Sequence, residues 1–132
     1  MKIKQIVLAA LAAFCVSASA SDLKESFYQN TWCAANAGVT EYVINDAERG
    51  SRVDCLTSEY AIEFDFINKW QEALSQAVYY AKMTGKKPGV VFIIEDPQNE
   101  YNYVYLRRLL NTVTEYKSGI TFWFVYKPKQ GE

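Results

Sequence analysis

Residues 60–95 set most of what this chain can fold into. "YAIEFDF" (60–66) alternates strictly, putting Tyr60, Ile62, Phe64 and Phe66 on one face of a strand and Ala61, Glu63 and Asp65 on the other. "KWQEALSQAVYYAKMTG" (69–85) repeats apolar residues at helical spacing, with Asn68 placed to cap it and Gly85 to stop it. "GVVFIIE" (89–95) is a continuous apolar run, the pattern of a strand covered on both faces. Strand, helix and strand in close succession imply parallel neighbours joined by a right-handed crossover. The fold class is therefore α/β, of the α+β mixed-sheet kind once the flanking segments are added.

Those segments extend the pattern both ways. Asp22 to Ala37 has helical spacing through Leu23, Phe27, Tyr28 and Trp32, with Gly38 as a stop. "VTEYVI" and "RVDCLT" are short strands on either side of the turn "NDAERGS", so the first three strands form an antiparallel meander. "EYNYVYLRRLLNTVTEYKSG" is a helix or a loop leading into one, and "ITFWFVY" closes the chain as a strand. The predicted order is α-β-β-β-α-β-α-β.

The first twenty residues are set apart. Lys2 and Lys4, an apolar run from Ile6 to Val16 and the exit "ASA" ending at Ala20 form the three parts of a secretory signal peptide. The expectation is a leader over 1–20 and a single domain over 21–132, periplasmic or secreted, with no membrane contact after cleavage. Without Lys2 and Lys4, twelve basic residues face fifteen acidic ones, for a net charge of about −3. Lys86-Lys87, Arg107-Arg108 and Lys127/Lys129 are scattered pairs, a poor footprint for non-specific binding to nucleic acid. With Cys15 in the leader, Cys33 and Cys55 remain, and two cysteines in an exported domain are expected to form one disulfide, against free thiols or metal ligation. The chain has no histidine, which removes Ser-His and Cys-His nucleophile chemistry. Catalysis here must rest on carboxylates, Lys, Tyr or a hard metal held through oxygen.

Glu63 and Asp65 share a strand face, and pairing with "RVDCLT" can bring Asp54 beside them. Three carboxylates gathered at one place raise one another's pKa, and Mg²⁺ relieves that repulsion. The alternative is that Glu63 and Asp65 line the wet face of a half-exposed sheet. On the following helix, Lys69, Gln76 and Tyr80 fall within about 20° of one stripe, at the margin of an apolar side made by Trp70, Leu74, Ala77, Val78 and Ala81. Taken alone, that stripe equally suits a solvated helix edge.

"RVD", then "EFD" on the next strand, then a helix bearing "QAVYY" resembles the PD-(D/E)XK (restriction endonuclease-like) nuclease superfamily, above all its RecB-like and resolvase-like branches. The resemblance covers about Asp22 to Glu95. It implies an αβββαβ core, here with a further C-terminal helix and strand. It also implies a Mg²⁺- or Mn²⁺-dependent nuclease acting on nucleic acid. Asp54 matches the acid ending the second strand, Glu63 the acid of the third, and Gln76 with Tyr80 the helical Q-x-x-x-Y. Glu25 matches an extra metal ligand on the first helix, so the implied ligand set is Glu25, Asp54, Glu63 and Asp65. The chain departs from the superfamily where its lysine stands: Asp65 occupies that position, and Lys69 is the one basic residue placed to take the role. The other implied outcome is a catalytically inactive nuclease fold reused for binding, with a protein partner.

Tyr101, Tyr103 and Tyr105 alternate ahead of Arg107 and Arg108. That suits a stacking platform for single-stranded nucleic acid, or tyrosines packed ring-inward with their hydroxyls at the surface.

Overall fold

The computed structural model describes residues 23–45 and 50–129; the leader expected over 1–20 lies outside them. Eight elements follow in the predicted order: α1 (Glu25–Ala35), β1 (Val39–Ile44), β2 (Ser51–Leu56), β3 (Tyr60–Phe66), α2 (Trp70–Thr84), β4 (Lys87–Ile94), α3 (Glu100–Tyr116) and β5 (Thr121–Tyr126). They build one mixed five-stranded sheet in the order β1-β2-β3-β4-β5. The first three strands form the expected antiparallel meander, and β3, β4 and β5 run parallel.

Helix ends follow local chemistry. Gly85 at φ 69° ends α2, where a residue without a Cβ adopts the left-handed conformation without cost. The Asn99 side chain accepts a hydrogen bond from Tyr101 N–H at 3.0 Å and caps α3. Asn68 is not the cap expected for α2. It lies in a 3₁₀ turn over Ile67–Lys69, and Lys69 stands at the helix N-cap instead.

The continuous apolar run of β4 feeds two cores. Val90, Phe92 and Ile94 pack toward α2 and α3 with Ala73, Ala77 and Leu109. Val91 and Ile93 pack on the opposite face with Tyr28, Ile62 and Phe64 under α1. The buried side of α2 is Trp70, Ala73, Ala77, Tyr80 and Ala81, while Val78 is 51% exposed. The helix is thus rolled relative to the expected apolar side, and Tyr80 sits in the core rather than at its margin. Among the described residues, no helix is long and apolar enough to cross a membrane.

Cys33 of α1 and Cys55 of β2 form a disulfide with a Cα–Cα distance of 5.8 Å, both ends fully buried. A Cβ at Gly38 would collide with both sulfurs, so the chain passes the bridge only as glycine. Closing a loop over a sequence separation of 22 restricts the unfolded chain. Replacing both cysteines by serine is expected to lower unfolding free energy by about 3 kcal/mol in urea titrations.

Candidate functional site

The sheet is irregular at Asp54. Thr40 pairs with Cys55 and Tyr42 with Val53, yet Glu41 and Asp54 between them are left out of the ladder. Glu41 adopts φ 53°, which a residue with a Cβ enters only when its surroundings hold it there. The buried Gln29 of α1 supplies that hold, donating from Nε2 to Asp54 O at 2.9 Å and to Glu41 Oε1 at 2.8 Å. Arg52 adds an ion pair to Glu41 at 3.6 Å.

The β2–β3 ladder stops at the same place. Its pairs are Cys55 with Ile62 and Leu56 with Ala61, with none at Asp54 and Glu63. Beyond the break, Asp54 Oδ2 accepts the N–H of Phe64 at 2.8 Å, so a side chain does the ladder's work. Side-chain alternation slips as well: Cys55 packs under α1, whereas Val53 packs with Ala61 and Tyr80 toward α2. Such a slip re-aims a side chain, and here it directs the Asp54 carboxylate at β3.

Glu63 and Asp65 are not on a wet face. They are 6% and 4% exposed, beneath α2. Glu63 Oε2 is buried with no hydrogen-bond partner. Burial, then the charge of Asp54, pushes Glu63 up to about 10, and burial lifts Asp54 to about 6 despite the Phe64 N–H. At neutral pH the pair holds one proton between its two carboxyls. Glu25 is raised to about 7 by burial and then by Asp54 and Asp65, with Lys69 opposing. Burial also raises Asp65 and Tyr80, the latter aided by Glu63 and Asp54. Tyr80 donates its hydroxyl to Gln76 Oε1 at 3.2 Å.

Lys69 Nζ stands 3.7 Å from Asp65 Oδ1, which also accepts Phe66 N–H at 2.8 Å. The Lys69 ammonium is therefore carried one helical turn past the strand, with its side chain 54% exposed. A cleft of about 390 Å³ opens on this side, lined by Lys69, Asn68, Glu95 and Asp96 at the carboxyl ends of β3 and β4.

Glu25, Asp54, Glu63, Asp65, Lys69, Gln76 and Tyr80 thus belong to one electrostatically connected cluster. Tyr101, Tyr103, Arg107 and Arg108 stand elsewhere, exposed on α3, where Tyr105 alone of the three tyrosines packs against the core. Gln29 and Glu41 were not anticipated. Gln29 had one signal, since it lies one helical turn beyond Glu25; Glu41 in "VTEYVI" had none. The donors are all oxygen, and an unpartnered buried carboxylate oxygen suits a hard cation. Among the described residues, however, no group of three or more His, Cys, Asp or Glu side chains is disposed to hold a metal ion.

The protonation states set a pH dependence. Glu63, Glu25 and Asp54 all titrate higher in the folded protein than their ordinary 4.5, 4.5 and 3.8, so folding takes up protons above those values. Stability is expected to be greatest at the acid end and to fall as pH rises through 6 toward 10. Glu63→Gln, neutral in both states, should flatten that decline and gain about 2 kcal/mol over wild type at pH 8 in urea denaturation. A wild type equally stable from pH 5 to 9 would mean that the pair is not buried as a protonated unit.

No protein-family model matches the chain, and no curated protein and no solved structure matches it either.

Proposed function

We propose that this chain is an exported phosphodiesterase of the PD-(D/E)XK nuclease type, acting on nucleic acid with Mg²⁺ or Mn²⁺ at Asp54 and Glu63. The observation that carries the reading is the break between β2 and β3, which leaves Asp54 and Glu63 side by side with Glu63 Oε2 buried and unpartnered. The αβββαβ order of the first six elements, and Gln76–Tyr80 on the following helix, agree with that superfamily's pattern. The disulfide and the leader pattern agree with an exported chain.

Each residue has work to do. Phe64 N–H fixes the Asp54 carboxylate in the gap, and Gln29 fixes the backbone behind it. Glu63, with Asp65 and Glu25 beside it, completes an anionic set whose charge is relieved by protons or by a divalent cation. When bound, such a cation supplies Lewis acidity toward a phosphodiester and lowers the pKa of water. Lys69 presents its ammonium at the exposed side, where it can hold a phosphate oxygen or orient the attacking water. Tyr80 and Gln76 brace the buried wall.

A second reading is a binding or interaction protein on the same fold, without catalysis. Asp65 standing where the motif lysine belongs, with Lys69 tied to it, favours that reading. Titration calorimetry with Mn²⁺ and Mg²⁺ and cleavage of single-stranded, double-stranded and branched DNA and of RNA separate the two. For the nuclease, Glu63→Gln and Asp54→Asn are expected to abolish metal binding and cut cleavage at least about 100-fold. Lys69→Ala should bind metal normally and lose about 10²-fold in rate. A wild type that binds neither metal and cleaves nothing is the binding protein instead.

A further inference from the structure

β5 is an edge strand whose own six residues carry none of the usual protection, with Lys127, Pro128 and Lys129 following directly after it. "TFWFVY" (121–126) contains no charge and no proline, and it pairs with β4 without interruption from Thr121 to Tyr126. Its other edge has no strand beside it among the described residues. Unpaired backbone donors and acceptors on an apolar strand are a template for another strand, which charge, proline or a bulge normally blunts.

The surroundings of the edge are apolar on both faces of the sheet. On the α1 side a groove of about 410 Å³ is lined by Phe27, Trp32, Val125 and Tyr126 among others. On the α3 side a smaller recess lies between Tyr103, Leu106 and Tyr126. Phe27, Tyr103 and Tyr126 are 42%, 61% and 57% exposed, so apolar surface borders the edge on both sides. The strand itself is firmly seated: Trp123 packs edge-on against Trp32 and Tyr60, and lies so close to Gly89 that a Cβ there would meet it at 2.8 Å.

We infer that β5 is the interface of a two-fold homodimer, pairing antiparallel with β5 of a second copy to make one ten-stranded sheet. The occupant follows from the two edges compared. Pairing β5 with β1 of another copy would repeat without end, and the β1 edge is broken by Glu41 at φ 53° and charged by its ion pair with Arg52. Self-pairing closes. A two-fold axis normal to the sheet opposes residues of the same face, setting Phe122 against Phe124 or Tyr126, and Trp123 against itself or Val125. In either register five of the six uncharged residues meet their counterparts, and the flanking grooves widen the contact toward the roughly 800 Å² per partner that a stable dimer needs.

Sedimentation equilibrium of the exported chain at concentrations up to about 100 µM, well above a micromolar Kd, tests this directly. A dimer is expected, and Thr121→Lys with Tyr126→Lys, both at the ends of the strand, should weaken it by at least about tenfold while circular dichroism stays unchanged. Hydrogen exchange on the unmodified chain gives an independent readout: alternate β5 amides should be protected in the dimer and exposed on dilution. A monomer throughout overturns the inference, as does a dimer indifferent to both lysines. Equal β5 exchange at high and low concentration also overturns it, as does a monomer whose β5 edge takes up an extended peptide from another protein.

Discussion

Two carboxyls, Asp54 and Glu63, buried side by side at a break in the sheet, govern the middle of this molecule. In a regular antiparallel pair the ladder would continue through Asp54 and Glu63 as directly opposed residues with side chains on one face. Here the ladder ends at these residues, and Phe64 N–H is satisfied by the Asp54 side chain. The arrangement replaces an inexpensive backbone hydrogen bond with a buried acidic pair that needs a proton or cation. Nothing about folding the sheet requires it. Strain and uncompensated burial of this kind persist where surrounding structure over-determines them, and α1 does so through Gln29.

The rest of the sheet gives the acids a rigid frame. β4 is buried on both faces, feeding alternate residues to two cores, and β3 is fixed against it by seven registered pairs from Tyr60 to Phe66. Glu63 and Asp65 therefore ride on the strand junction with the longest continuous ladder, while Asp54 rides on the irregular one. One partner is anchored by packing and the other by hydrogen bonds. The mixed topology creates that contrast, because the antiparallel meander meets the parallel βαβ unit at β3.

Much of this was legible in the residues. Strict alternation in "YAIEFDF", the unbroken "GVVFIIE" and a helical repeat between them were enough for the βαβ unit, because burial on two faces admits few other patterns. The grouping of Asp54 and Glu63 with Gln76 and Tyr80 was an expectation carried by the resemblance to the PD-(D/E)XK motif order, since spacing alone left a solvated face and helix edge open. Other features depended on long-range packing. The roll of α2 that buries Tyr80 and exposes Val78 is decided by what the helix meets, since two adjacent stripes of that helix are both apolar enough to pack. Glu41's left-handed backbone and Gln29's double hydrogen bond carry no local signature, because each exists only through the other element. The wet-face alternative for Glu63 and Asp65 failed for a related reason: alternation tells which residues share a face but not whether a helix covers it.

The disulfide has a kinetic side beyond its effect on the unfolded chain. Cys55 directly follows Asp54, and Cys33 sits on the same helix as Glu25 and Gln29. Once the sulfurs join, the covalent path from α1 to Asp54, otherwise a sequence separation of 22, is cut to the bridge itself, which narrows how far these side chains can stray. The local concentration of Glu25 and Gln29 at the break in the sheet rises accordingly, because the loop that joins them to it is shorter. Local opening of α1 is held to a shorter excursion. The residues that hold the acidic pair are thereby bound to it by the chain's own oxidation state.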